Sequence, residues 1–213
     1  MSEDRYLTFA LGKGRLANKT LDLLEQIGIT CEEMKDKNTR KLIFVNEELK
    51  LKFFLSKALD VPTYVEYGAA DIGVVGKDTL AEINRPVYEI LDLKFGKCRF
   101  ALAAKKGADF FDGYRKKTVA TKYPNVARKF FERKNMDVEI IKIEGSVELA
   151  PLLHLADGIV DIVETGTTLK ENGLEVVETV SEVSARLIAN SASMKMKKSE
   201  IMELCRIFQE NIE

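Results

Sequence analysis

Gly68-Ala-Ala-Asp71-Ile72-Gly-Val-Val-Gly76 and Gly158-Ile-Val-Asp161-Ile162-Val-Glu-Thr-Gly166 share one pattern, Gly-x-x-Asp-Ile-x-x-x-Gly, and begin 90 residues apart. Each copy reads as a small-residue turn, a short apolar run rich in β-branched residues, and a polar loop that holds a glycine and runs into a helical pattern. That is a strand, a loop and a helix, met twice. In open α/β sheets ligands gather at the carboxyl ends of the strands, where helix N-termini present free N–H groups to anions. Two such units predict two lobes facing one cleft. The second copy carries more chemistry, because Glu164-Thr165-Gly166-Thr167-Thr168 places three hydroxyls and a glycine at the helix entrance. Such a loop is suited to a phosphate.

Size and charge narrow the partners. The 213 residues lie between one large domain and two small ones and can bury a sizeable core; the repeat favours two. With 33 basic and 34 acidic residues the formal charge is −1, which gives no broad field for a nucleic-acid backbone, so any phosphate recognition is local. The densest basic runs, Arg115-Lys116-Lys117 and Lys195-Met196-Lys197-Lys198, read as solvated charge. Cys31, Cys98 and Cys205 are odd in number, widely spaced and without a C-x-x-C pair, so they indicate neither a disulfide framework nor a zinc site, and a reducing compartment fits. The single histidine, His154, sits in the apolar stretch Pro151-Leu-Leu-His-Leu-Ala156 and reads as a packed or partly exposed helix residue rather than a base. A histidine-rich metal centre is excluded and a histidine-based triad disfavoured. The Met-Ser-Glu-Asp-Arg start has no signal-peptide core, and no apolar run is long enough to span a bilayer, which predicts a soluble cytoplasmic protein.

Read in order, Leu7–Leu11 is a buried strand, and Gly12-Lys13-Gly14-Arg15 turns into a helix with Leu16, Leu23, Leu24 and Ile27 on one face, stopped at Gly28. Lys41–Val45 and Leu49–Leu55 read as a strand pair around Asn46-Glu47. Asp60-Val-Pro62 opens a helix with the aspartate as N-cap. Strands are expected at about Ile72–Val75, at Lys97–Ala104 beyond Val87–Leu91, and at Thr118–Thr121 and Val138–Ile143, with helices over Asn125–Arg133 and after Ser199, where Ile201, Leu204, Cys205, Phe208 and Ile212 share a face. The alternation argues for α/β lobes. With no Pro/Gly/Ser-rich linker, strands crossing from one lobe to the other should join them.

Five motifs occur together: Gly12-Lys-Gly-Arg-Leu16, Asp60 through Asp78, Gly96-Lys-Cys-Arg99, Gly145-Ser-Val-Glu-Leu-Ala-Pro151 and Asp157 through Leu169. In this order they resemble the ATP phosphoribosyltransferase family, which opens histidine biosynthesis, and the likeness runs from about Leu7 to Lys195. The resemblance implies an α/β fold of two lobes like the type II periplasmic binding proteins, each a mixed sheet flanked by helices, with lobe I over 1–93 and 183–213 and lobe II over 94–182. It implies transfer of the phosphoribosyl group of phosphoribosyl pyrophosphate to N1 of ATP, with release of pyrophosphate and with Mg2+ carried on substrate phosphates rather than on protein ligands. By the same resemblance Thr165, Gly166, Thr167 and Thr168 hold the 5-phosphate, and Asp161 and Glu164 the ribose hydroxyls. Lys13, Gly14 and Arg15, with Arg40, face the pyrophosphate or the ATP phosphates. Asp71 and Asp78 contact either the nucleotide or their own turn backbone.

The chain departs from the family pattern at Lys57, where arginine is frequent, and at Gly12, where proline or serine is frequent; lysine keeps the charge but loses the planar two-point fork. It also stops one helix past Lys195, without the extra C-terminal domain of the long form. The short form implies a homo-oligomer, a dimer by expectation, that works with a regulatory subunit related to histidyl-tRNA synthetase. Nucleic acid and membrane are not among the expected partners. Two rival readings are a non-catalytic cytosolic binding module of the periplasmic-binding-protein type, which needs no second anion pocket, and a regulator's effector domain, which would need a DNA-binding helix-turn-helix.

Overall fold

The computed structural model describes residues 6–30, 32–34 and 40–212; Cys31 and the N-terminal Met-Ser-Glu-Asp-Arg lie outside the described residues. Numbered along the chain, the elements begin with β1 (Leu7–Gly12), α1 (Arg15–Gln26), β2 (Ile43–Asn46), β3 (Leu51–Ser56), α2 (Val61–Glu66), β4 (Ile72–Gly76), α3 (Lys77–Ile83) and β5 (Tyr88–Asp92). Next come β6 (Cys98–Lys105), β7 (Lys117–Thr121), α4 (Pro124–Arg133), β8 (Val138–Lys142), α5 (Leu149–Leu152), β9 (Gly158–Val163), α6 (Thr167–Glu171) and β10 (Leu174–Val183). The chain closes with β11 (Ala185–Ala189), α7 (Ser193–Met196) and α8 (Lys198–Asn211). It divides into two compact units, one of residues 1–96 with 184–213 and one of residues 97–183. The crossings fall between β5 and β6 and between β10 and β11, where only Ser184 separates two strands.

The first unit holds a six-stranded mixed sheet in the order β2-β3-β1-β4-β11-β5. β1 runs parallel to β3 and β4, so their carboxyl ends lie at one edge, and β2 and β11 are antiparallel to their neighbours. Phe9, Leu11, Phe44, Phe53, Ile72, Val74 and Leu187 bury one sheet face against Leu23 and Leu24 of α1 and Ile201, Leu204, Cys205 and Phe208 of α8. Each large side chain so buried contributes on the order of 1.5–3 kcal/mol. The face expected for the last helix is the one that packs, with Ile212 at its margin.

One local expectation needs correction. Asp60 accepts no capping bond and has helical dihedrals, because Ala58–Asp60 forms a 3-10 turn that runs straight into α2. Pro62 still stands in the first turn, where its missing N–H costs nothing.

The second unit is a five-stranded mixed sheet in the order β10-β6-β9-β7-β8. β7 runs parallel to β8 and β9, while β6 is antiparallel to both β9 and β10. Ala101, Ala103, Ala120, Ile159 and Val163 cover one face and pack against Val147, Ala150 and Leu169. His154 is exposed and lies just past α5 with φ 58°, its N–H donating to Pro151 O while Leu155 N–H reaches back to Ala150 O. These are the paired bonds of a left-handed helix stop. His154 is therefore a capping residue outside the helix, where glycine is usual.

Candidate active site

In the first unit, the carboxyl ends of β1 and β3 gather cations. Gly12 stands level with Ser56, Lys13 N–H donates to Ser56 O at 2.8 Å, and the chain after β3 continues through Lys57. Gly12 is buried, and a Cβ there would lie 3.0 Å from Ala58 Cα, so the glycine lets the segment after Lys57 close against the end of β1. That contact brings the backbone of Lys57 beside the Lys13-Gly14-Arg15 turn. Gly14 has φ 109° and ψ −155°, a conformation open essentially to glycine alone, and it caps α1 with no side-chain bond. The turn thus ends in a 12-residue helix whose first N–H groups have no side-chain cap, with exposed Lys13 and Lys57 next to it. Arg40 is exposed before β2, and no hydrogen bond or ion pair among the described residues ties it to this group.

The two aspartates of the first repeat separate in role. Asp71 is buried with both oxygens engaged: Oδ1 accepts Ser193 Oγ at 2.6 Å, while Oδ2 accepts Thr8 N–H at 2.8 Å and Lys197 Nζ at 2.6 Å. Lys197 Nζ also donates to Tyr6 O. Asp71 therefore ties β1 and the α7–α8 region together and leaves no lone oxygen for a nucleotide. Its own turn backbone is not among these partners. Asp78 folds its carboxylate back over Gly76, where a Cβ would come 2.0 Å from its Oδ1, and it stands in the first turn of α3.

The second unit carries a cavity of about 290 Å³, lined by Ala101, Ala103, Glu148, Asp161, Glu164 and Thr165 among others, with Gly166, Thr168 and Leu169 closing one side. Asp161 stands opposite Ala101 and Ile159 opposite Ala103 in the β6–β9 ladder, so the two alanines leave the room that Asp161 faces. Burial pushes the Asp161 carboxyl up to about 6; the N–H of Ile162 works the other way, the Glu148 charge adds to the rise and Lys122 opposes it. Gly166 has φ 79° and caps α6, Thr165 and Thr167 hydroxyls lie 3.0 Å apart, and both are exposed, as are Thr168 and Glu164. Lys170 N–H bonds to Gly166 O, which closes the first turn. α6 has five residues, so its dipole is short. Among the described residues no group of three or more His, Cys, Asp and Glu side chains converges to hold a metal ion.

The ATP phosphoribosyltransferase (HisG) family model matches residues 57–210. The chain belongs to the ATP phosphoribosyltransferase family. It is 59% identical over 208 residues to the ATP phosphoribosyltransferase of Lachnoclostridium phytofermentans, with 97% of each chain covered, and 57% identical to that of Lachnospira eligens, with 98% of each covered. Among solved structures it is similar to the ATP phosphoribosyl transferase (HisG:HisZ) complex from Thermotoga maritima, at TM-score 0.81 and 34% identity over 97% of this chain and 98% of that one. A substrate-binding protein of an amino-acid ABC transporter, at 12% identity and TM-score 0.55, shares the fold alone. This transferase is accordingly an α/β protein of two periplasmic-binding-protein-like units, and an enzyme of the pentosyl-transferring class that serves histidine biosynthesis.

Two features of the transferase escape a reading of the sequence. Glu148 belongs to a quoted motif, yet its place on the cavity wall follows only from how α5 packs on β9. Ser193 and Lys197, the partners that engage Asp71, lie 122 and 126 residues further along the chain, and no local pattern links them.

Proposed function

We propose that the chain transfers the phosphoribosyl group of phosphoribosyl pyrophosphate to N1 of ATP. The N1 lone pair attacks the anomeric carbon C1, and the C1–O electron pair leaves with pyrophosphate. Positive charge grows on the ribose ring as the diphosphate departs, so positioning and charge neutralisation are the enzyme's main contributions. N1 carries no proton to remove before attack, and the site needs no general base.

The observation that carries this reading is the β9–α6 loop of a chain belonging to this family: a glycine at positive φ flanked by three exposed threonines, above a cavity with a half-buried carboxylate. In this reading Thr165, Gly166, Thr167 and Thr168 hold the 5-phosphate through hydroxyls and backbone N–H groups. Asp161 and Glu164 accept hydrogen bonds from ribose hydroxyls. Lys13, Gly14 and Arg15 bind phosphates with Arg40, and Lys57 stabilises the departing pyrophosphate. Asp71 is left out of the binding set, and Asp78 fixes the α3 entrance. A divalent metal, Mg2+ in this reading, arrives on the substrate phosphates and neutralises them.

The chain also acts, by this reading, as a cytoplasmic homo-oligomer with a synthetase-related regulatory subunit, by analogy with the HisG:HisZ complex it resembles. Among the described residues no helix is long and apolar enough to cross a membrane. The deciding experiment incubates the protein with ATP, phosphoribosyl pyrophosphate and Mg2+ and follows pyrophosphate. Release that requires both substrates supports the function, and a protein that binds either ligand without turnover refutes it.

A further inference from the structure

The cavity beside β9 has a charge problem. Its wall presents three carboxylates, Glu148, Asp161 and Glu164, and no basic side chain. A phosphate gripped only by neutral hydroxyls and N–H groups there would face net negative surroundings, and the five-residue α6 offers little compensation. A counter-charge has to come from just outside the wall.

Two cations rise from the same sheet face. Arg99 stands opposite Val163 in the β6–β9 ladder, two residues before Ala101, which stands opposite Asp161 and lines the cavity. Alternate residues of a strand share a face, so Arg99 flanks the cavity beside the last residue before the Glu164 loop. Its Nε is shielded from solvent and has no acceptor. Arg85 and Arg186 share that trait, but their guanidinium groups hold ion pairs, with Glu66 and with Glu89 and Asp92. Among the described residues the Arg99 side chain has no hydrogen bond or ion pair. On the other flank, Thr121 stands level with Val160 in the parallel β7–β9 pair, which brings the next residue, Lys122, level with Asp161 at the carboxyl end of β7. The charge of Lys122 is felt by both Asp161 and Glu144, yet Glu144 pairs with Lys142 at 2.7 Å, and the Lys122 ammonium has no ion pair among the described residues. An arginine with a shielded Nε and a half-buried lysine, neither in an ion pair among the described residues, flank an acidic cavity that ends in a threonine-glycine loop.

We propose that Arg99 and Lys122 supply the positive charge for the 5-phosphate of the phosphoribosyl group bound at the Thr165–Thr168 loop. The inference rests on the phosphoribosyl-transfer reading. Arg99 offers a planar fork to two phosphate oxygens, and Lys122 a mobile point charge that also faces Asp161.

The test uses the full chain, with ribose 5-phosphate and phosphoribosyl pyrophosphate as probes in titration calorimetry and ATP as the control ligand. Arg99→Ala and Lys122→Ala should each weaken ribose 5-phosphate binding about 10- to 100-fold, the loss of one charge-assisted contact, and leave ATP affinity within about twofold. Each should also flatten the salt dependence of ribose 5-phosphate binding. Lys122→Arg should recover most of the affinity and Arg99→Lys only part. In turnover the KM for phosphoribosyl pyrophosphate should rise more than kcat falls. If the parent chain releases pyrophosphate and binds ribose 5-phosphate but either alanine variant binds it normally, the paired assignment falls and the transfer reading stands. If Arg99→Ala or Lys122→Ala lowers the melting temperature and weakens both ligands alike, with no recovery in the conservative variants, the cations are structural and the inference is overturned. A parent chain that neither binds phosphoribosyl pyrophosphate nor releases pyrophosphate sinks the transfer reading, and this inference with it.

Discussion

Replacing Asp161 with asparagine should make the protein more stable at neutral pH and less active. Burial raises the Asp161 carboxyl from 3.8 to about 6, so the folded chain holds this proton more tightly than the unfolded chain does. Stability from this group is complete below about pH 4 and is lost as pH rises through about 6, the sign for an acid whose folded value is raised. At about 1.4 kcal/mol per pH unit, the ionised form costs the native state up to about 3 kcal/mol above pH 7, about 1.5 kcal/mol at pH 5 and less than about 1 kcal/mol at pH 4. Asparagine keeps the shape and an oxygen that can accept the Ile162 N–H, but carries no charge to desolvate. Urea unfolding of both proteins from pH 4 to pH 8.5 should therefore show a gap in favour of Asp161→Asn that opens over pH 4–6 and then stays level. Activity should move the opposite way, with kcat/KM for phosphoribosyl pyrophosphate falling about 100-fold, since a neutral amide is a weaker acceptor for ribose hydroxyls than a carboxylate. A stability gap independent of pH would refute the electrostatic argument. A stabilised variant with full activity would refute the site, because an expensive carboxylate that does nothing has no reason to be tolerated there.

Further substitutions probe the remaining assignments. Gly166→Ala forces a Cβ at φ 79° and should cost about 1–2 kcal/mol in backbone strain, although the nearest side-chain atom, Val163 Cγ1, would be a comfortable 3.7 Å away. Its phosphoribosyl pyrophosphate affinity, measured on the folded fraction, should fall further than stability alone explains, and unchanged affinity removes the loop from the site. Lys57→Ala should slow single-turnover chemistry at least about tenfold with ATP binding intact, and Lys57→Arg should preserve or raise the rate; normal chemistry in Lys57→Ala dismisses the leaving-group role. Asp71→Ala strands the Lys197 ammonium, which is largely buried, and should cost about 3 kcal/mol in chemical unfolding, whereas a loss under about 1 kcal/mol would show that Lys197 relaxes to solvent. Histidine should inhibit strongly only when the regulatory subunit is added, and potent inhibition of the isolated chain in initial-rate assays would place an effector site within this chain.

What could be read from the sequence depended on how local its cause was. The strand ends at β4 and β9 were legible because a β-branched apolar run between glycines has few other solutions, and the helical face of α8 because a 3.6-residue period reports the buried side directly. Asp71 shows the limit. Its repeat partner Asp161 has the same neighbours in sequence, Gly three before and Ile one after, yet one is buried with three donors while the other faces a cavity and keeps a raised carboxyl. The shared Gly-x-x-Asp-Ile motif by itself does not distinguish them. The difference comes from Ser193 and Lys197, which the chain delivers to Asp71 after crossing into the second unit and back, and from Ala101 and Ala103, whose small side chains on β6 leave space in front of Asp161. A motif fixes which backbone is built, and long-range packing then decides whether the same carboxylate becomes a brace or a binding group. For that reason the pair Asp71 and Asp161 gives the sharpest contrast for mutation. Removing the charge should destabilise the protein at the first position and stabilise it at the second, and equal signs at pH 8 would mean that the two repeats have not diverged in the way their surroundings require.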